Sequence, residues 1–316
     1  MSLCTEAGFD ETDRGTVALV VTEACTNALR HGGGGEVVLR LVSRGESTLL
    51  EAIALDRGRG MADIGRCLED GYSSAGSAGT GLGAIYRLAD SLDVYSLPGL
   101  GTALLVRCGT RRTASTTPAA TLDVGAVCVR KPEEIECGDA WAIRGVGVKT
   151  RTLVVDGLGH GAGAATAARA ALDAFADADG LTPVETIERL HTAMRATRGG
   201  GAAIAEIDHD RGMLRFAGVG NIAGVVYGEE ASHHLTSYNG TLGHQSPRVR
   251  ELAYAWTDQS LLLMHSDGIG TRWSLDQYPG LRDRPAALIA GVLYRDFARG
   301  SDDATVLALR RASRSP

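Results

Sequence analysis

Apolar residues at Val17, Val20, Val21, Ala24 and Ala28 recur three and four positions apart, which predicts an amphipathic helix with its buried stripe on one face. Asp13 is placed to cap that helix, and the run Gly32 to Gly35 ends it. Two apolar stretches, Val37 to Val42 and Leu49 to Leu55, then read as strands joined by a turn at Ser43 to Ser47. A helix near Met61 to Glu69, a loop rich in Gly and Ser to Gly79, and a helix from Leu82 to Ala89 follow. The hairpin of Asp93 to Leu97 and Thr102 to Arg107 completes a layer of helices on a mostly antiparallel sheet.

Residues 110–121 have no apolar period and gather Thr, Ser, Ala and Pro, so they read as a linker between a domain at 1–109 and another at 122–312. The second stretch is richer in strands, predicted near 122–130, 140–145, 151–155, 202–208, 213–217, 222–227, 250–256, 261–265 and 304–310. Helices are predicted near 161–178, 183–197 and 284–298. The fold class is therefore α+β: an N-terminal α/β two-layer sandwich, then a β-sandwich flanked by helices.

A length of 316 residues suits two cores. A net charge of -6 and an aromatic content of 5% argue against a nucleic-acid partner, which asks for basic patches and stacking platforms. No run approaches the roughly 20 apolar residues of a membrane helix, and no export signal opens the chain, so a cytoplasmic protein off the membrane is expected. Six cysteines without a C-x-x-C pair read as thiols rather than a disulfide or zinc framework.

Candidate chemistry falls into two groups. Glu23 and Asn27 stand four apart on the first predicted helix and share a face. The Asn27 amide oxygen suits Mg²⁺ that also holds phosphates, and the Glu23 carboxylate could orient or deprotonate a hydroxyl; a polar face in water is the plainer reading. Asp56 ends a strand and opens Asp56-Arg57-Gly58-Arg59-Gly60, where a carboxylate can accept from an amino-purine. Gly79-Thr80-Gly81-Leu82-Gly83 runs into a helix whose free N–H groups can hold phosphates. "EACTNALRHGGGG", "DRGRGM", "LEDGYSSAGSAGTGLGAIYRLAD" and "PGLGTALLVR" resemble the ATP-binding boxes of the GHKL superfamily, most closely the small serine kinases of bacterial partner-switching pathways. The resemblance implies ATP with Mg²⁺ at Asn27, adenine at Asp56, a pocket shaped by Gly58 and Gly60, and phosphates near Thr80, Gly81, Leu82 and Gly83. It makes Glu23 the candidate kinase base. The family's opening strand and helix look shortened here, and Arg59 stands where Pro is common.

The second group is acidic. Asp139, Asp156, Asp267 and Asp302 lie at the ends of predicted strands, and carboxylates with a Gly carbonyl suit Mg²⁺ or Mn²⁺. Two such ions can activate water for in-line phosphoryl displacement, whereas an Asp-Gly alone is a common turn. "CGDAW", "TLVVDGLGHGAGAA", "RGGGAAIAEID", "NGTLG", "LLLMHSDGI" and "SDDATVLAL" resemble the metal-dependent PPM-type protein phosphatases of the SpoIIE-like branch. That likeness implies metal ligation by Asp139, Asp156, the Gly157 carbonyl, Asp267 and Asp302, with Asp156 and Asp267 central to catalysis and Asp303 behind the ligands. It supplies no phosphate-gripping arginine; Arg144, Arg198 and Arg272 qualify on charge only. His160 reads as a helix-start residue, and Asn221 as fixing a turn near the site rather than touching substrate. The expected whole is a partner-switching regulator: a serine/threonine phosphatase joined to a serine-kinase-like module, acting on a phosphorylated STAS-type switch protein, with a sigma factor or scaffold as further partners. The alternatives are an ATP-dependent binding clamp and a nucleotide-gated sensor, each with chemistry only in the phosphatase half.

Overall fold

The structure, a computed structural model, describes residues 2–44, 47–68, 81–110, 122–244 and 249–312. The chain divides into two compact units.

In the first unit, α1 (Ser2–Glu6) and α2 (Glu11–Gly32) precede β1 (Gly35–Arg44) and β2 (Ser47–Asp56). Next come α3 (Ile64–Leu68), α4 (Gly81–Leu88), β3 (Ser91–Leu97) and β4 (Gly101–Gly109). The strands form one antiparallel sheet in the order β1-β2-β4-β3. Val17, Val20 and Ala24 of α2 pack with Ile85 of α4 on Leu50, Ala54, Leu104 and Val106 of the sheet, so the apolar stripe seen in sequence is the core face. The helix starts earlier than its pattern predicts: Asp10, not Asp13, is the cap, and its carboxylate accepts the Asp13 N–H at 2.8 Å. Asp13 lies buried in the first turn. Gly33, at φ 69°, closes the other end. The predicted helix over 61–69 is one short turn, α3, and the Gly/Ser loop to Gly79 lies outside the described residues.

The remaining elements are β5 (Leu122–Val129), β6 (Asp139–Val146), β7 (Lys149–Gly157), α5 (Ala162–Ala176), α6 (Pro183–Ala193), β8 (Gly200–Asp208), β9 (Met213–Val219), β10 (Ala223–Tyr227), β11 (Ser232–Thr236), β12 (Leu252–Ala255), β13 (Leu261–His265), α7 (Ala286–Phe297) and β14 (Ala304–Arg311). Two five-stranded sheets, β11-β10-β13-β14-β5 and β12-β9-β8-β7-β6, face each other across Val154, Phe216, Leu262, Met264 and Leu307. Helices α5 and α6 cover the outer face of the second sheet through Ala167, Ala171, Phe175, Ile187 and Leu190. Thr182 and Glu185 form a reciprocal capping box that starts α6.

Segment Leu275–Arg295, which holds most of α7, groups with the first unit and not with the strands on either side of it. Every residue from Ala286 to Arg295 is buried. A Cβ on Gly291 would sit 3.0 Å from Ile53 Cγ2 and 3.2 Å from Leu55 Cδ2, so the helix lies against β2. Tyr95 donates its hydroxyl to the Pro279 carbonyl at 3.2 Å, and Arg295 Nη1 donates to the Asp56 carbonyl at 3.2 Å. A boundary drawn only at 110–121 therefore does not describe how α7 packs.

Candidate functional site

In the first unit, α2, β2, β4 and α4 deliver side chains to one cavity of about 370 Å³, lined among others by Asn27, Asp56, Gly60, Gly81, Leu82 and Thr102. Glu23 and Asn27, one turn apart, converge on the start of α4. A Cβ on Gly81 would lie 3.1 Å from both Glu23 Oε2 and Asn27 Oδ1. Asp56 Oδ1 accepts the N–H of Gly58 at 2.8 Å and of Thr102 at 3.2 Å. Those two donors fix the carboxylate and leave its second oxygen to accept elsewhere. Gly60 has φ +69°, and a Cβ there would stand 2.1 Å from the Leu97 carbonyl oxygen, so only glycine fits. Gly83 is buried within α4. Thr80, also read from sequence as a phosphate contact, lies outside the described residues. Thr102 and His31 line the cavity without having been singled out; strand and helix periodicity gave them no distinct signal.

The second site is made by strand ends. Asp139 opens β6 and pairs in register with Asp156 near the end of β7. Strands β13 and β14 are antiparallel neighbours, so Asp267, just past one, and Asp302, just before the other, come to the same end of their sheet. The Asn221 amide nitrogen donates to Asp156 Oδ2 at 2.8 Å and to Asp267 Oδ2 at 2.7 Å, which joins carboxylates from the two sheets. Asn221, read from sequence as a turn former, is thus part of the cluster. Ser266 donates its hydroxyl to Asp139 Oδ2 at 2.6 Å, while Asp139 Oδ1 is buried without a hydrogen-bond partner. Asp303 is buried and accepts the N–H groups of Lys131 at 2.7 Å and Gly138 at 2.8 Å, so it ties loops behind the cluster. Gly268 lets the Asp267 loop approach: a Cβ there would fall 1.9 Å from the Asp303 carbonyl oxygen.

Burial raises Asp139 to about 7, with the charges of Asp303 and Asp267 adding to it, while the Ser266 and Thr305 hydroxyls beside it pull the other way. Burial, followed by Asp139 and Asp267, raises Asp156 to about 8. Both acids resist ionising chiefly because burial disfavours the charged form, and the neighbouring carboxylates add to that cost. Among the described residues no three His, Cys, Asp or Glu side chains already close into a metal cage, and the Asn221 amide stands between two of the carboxylates. The hard oxygen donors and the orphaned, buried Asp139 Oδ1 nevertheless fit Mg²⁺ or Mn²⁺ rather than zinc.

Around the cluster, the Arg198 guanidinium lies against the first turn of α5, where a Cβ on Gly163 would meet its Cζ at 2.5 Å, and a Cβ on Gly159 in the loop after Asp156 would lie 3.5 Å from its Nη1. Arg144 is paired with Asp179 at 2.8 Å, and Arg272 is exposed. His160 Nδ1 lies 2.5 Å from Glu134 Oε1, beside the start of α5, in keeping with a helix-start role. Among the described residues no helix is long and apolar enough to cross a membrane.

Two family models match the chain: the histidine kinase-like ATPase domain over residues 1–108, and stage II sporulation protein E (SpoIIE) over residues 147–312. The serine/threonine-protein kinase RsbT of Bacillus subtilis (strain 168) is 32% identical over 99 residues, covering 31% of this chain and 74% of RsbT. A structure described under the bacterial stressosome, a modular system adapted to control secondary messenger signalling, matches with a TM-score of 0.58 at 28% identity, covering 60% of this chain and 100% of the other. RsbX in complex with magnesium matches in fold with a TM-score of 0.53 at 20% identity, covering 60% of this chain and 96% of RsbX.

Proposed function

Because the chain belongs to the SpoIIE family through residues 147–312 and carries an RsbT-like ATPase domain over 1–108, we propose that it resets a phosphorylated switch protein in a partner-switching pathway. Its second unit is a protein serine/threonine phosphatase, and its substrate is a phosphoserine or phosphothreonine on a STAS-type protein in the cytoplasm. The observation that supports this reading is the Asn221 amide bonded to both Asp156 and Asp267, carboxylates of the two sheets, with Asp139 paired in register beside Asp156.

Asp139, Asp156, Asp267 and Asp302, with the Gly157 carbonyl, are the groups that would hold two Mg²⁺ or Mn²⁺. When bound, such ions supply positive charge for the phosphoryl oxygens and a water acidified toward pKa ~7. Ser266 and Asn221 orient the carboxylates through their hydrogen bonds, and Asp303 keeps the loops that carry them in place. In the first unit, the free Asp56 oxygen accepts from the adenine amino group, and Asn27 faces the phosphates with Mg²⁺. Glu23 is the candidate base that orients a substrate hydroxyl for phosphorylation.

The deciding experiment is Mn²⁺-dependent release of phosphate from a phosphoserine substrate by the full chain and by Asp267→Asn. The variant is expected to lose about 100-fold or more, since one metal ion would lose an anionic ligand. Turnover at the wild-type rate would overturn the assignment.

A specific observation favours a second reading beside the first, in which nucleotide gates the phosphatase. Segment 275–295 lies in sequence between Asp267 and Asp302, yet it packs with the ATPase unit, and Arg295 holds the Asp56 carbonyl. On this reading ATP changes the hydrolysis rate of the full chain; equal rates with and without ATP would refute it.

A further inference from the structure

Cys128, on β5, and Cys137, in the loop before β6, hold their sulfurs 3.7 Å apart, and both are partly exposed. All six cysteines are free thiols, and this is the one pair of sulfurs in contact among the described residues. The pair sits directly behind the aspartate cluster. Cys128 Sγ is 3.6 Å from the Asp139 carbonyl oxygen, and Gly138, which follows Cys137, donates its N–H to Asp303. Gly138 is also hemmed in: a Cβ there would lie 2.5 Å from Ala164 Cβ and 2.8 Å from Asp303 Oδ2.

We propose that Cys128 and Cys137 form a disulfide on exposure to a hydroperoxide, and that this bond slows phosphate release. The second half of that statement rests on the phosphatase reading of the aspartate cluster. One sulfur attacks the peroxide O–O bond, giving a sulfenic acid and one molecule of water or alcohol. The other sulfur then displaces the sulfenic hydroxyl, which leaves as water. Two S–H bonds and the O–O bond break, one S–S bond forms, and the two electrons lost by the thiols are gained by the peroxide. A disulfide holds its sulfurs at about 2.05 Å, so closure draws the Cys137 loop toward β5. That movement strains the Gly138–Asp303 hydrogen bond and shifts Asp139, two residues on.

The test uses the full chain, reduced and then treated with hydrogen peroxide for hours. Free thiols are alkylated and the protein is digested with trypsin, which cuts after Arg130 and so separates the two cysteines. The expected result is a linked pair of peptides that dithiothreitol splits. Mn²⁺-dependent hydrolysis of a phosphoserine peptide should fall about tenfold or more and return on reduction, the scale seen when groups supporting metal ligands are disturbed. Cys128→Ser and Cys137→Ser should each keep their turnover under peroxide. Absence of the linked pair, or a linked pair with undiminished turnover, overturns the inference. If the reduced wild type fails to hydrolyse the peptide, the phosphatase reading falls, while the linked pair still decides whether the bond forms.

Discussion

Asp139 and Asp156 stand within a pocket that opposes their ionisation, and the sign of that opposition can be measured. Their folded values, about 7 and about 8, lie above the ordinary aspartate range, so between roughly pH 4 and pH 8 the folded chain binds protons that the unfolded chain has released. Their contribution to stability is present on the acidic side and is lost as pH rises through those values. Metal-free protein in a chelator should therefore melt at a lower temperature at pH 9 than at pH 5, and Asp156→Asn should flatten the slope. Adding Mn²⁺ should restore more stability at the alkaline end, because ligation requires the ionised acids. A wild-type slope no steeper than that of Asp156→Asn would show that the carboxylates do not crowd one another. At this scale the sequence singled out the aspartates at the ends of predicted strands, Asp156 and Asp267 most clearly because both follow apolar strand runs. It put Asn221 only at a turn near the site, because the carboxylates it bonds are 65 and 46 positions away and its Gly-Val-Gly-Asn setting looks like any turn.

Helix α7 has the same double character at the level of elements. Its apolar sequence Ala286 to Leu293 announces a buried helix but not the surface that buries it. Gly291 is the position where β2 comes closest, and a leucine there would have to displace Ile53 and Leu55. Gly291→Leu is expected to cost about 1–3 kcal/mol in chemical denaturation, the usual scale of overpacking. Unchanged stability would mean that α7 does not lie on β2. Strand β11 was missed for the opposite reason: four of its five residues are exposed and only Leu235 is buried, so no alternation marks it. The α2 cap moved from Asp13 to Asp10 because both are good caps by residue type, and only the hydrogen bond distinguishes them.

For the whole molecule, the consequence to check is whether the ATPase unit influences phosphate release. Asp56→Asn keeps the side chain's size and removes the charge proposed to accept from adenine. It is expected to weaken ATP binding by about tenfold or more, the scale of a charge-assisted hydrogen bond. Calorimetry of the full chain reads that loss directly. If nucleotide gates hydrolysis, the same variant should need correspondingly more ATP to change the rate, with its rate without ATP unaltered. Local patterning alone indicated most of the helices and strands and singled out the acids and glycines proposed to carry the chemistry, because these depend on residues within one or two turns of each other. Tertiary structure decided that Asn221 bridges two sheets, that Cys128 meets Cys137, and that α7 packs with β2. Those depend on where distant strands end and which faces meet, and the spacing of residues along a chain does not encode that.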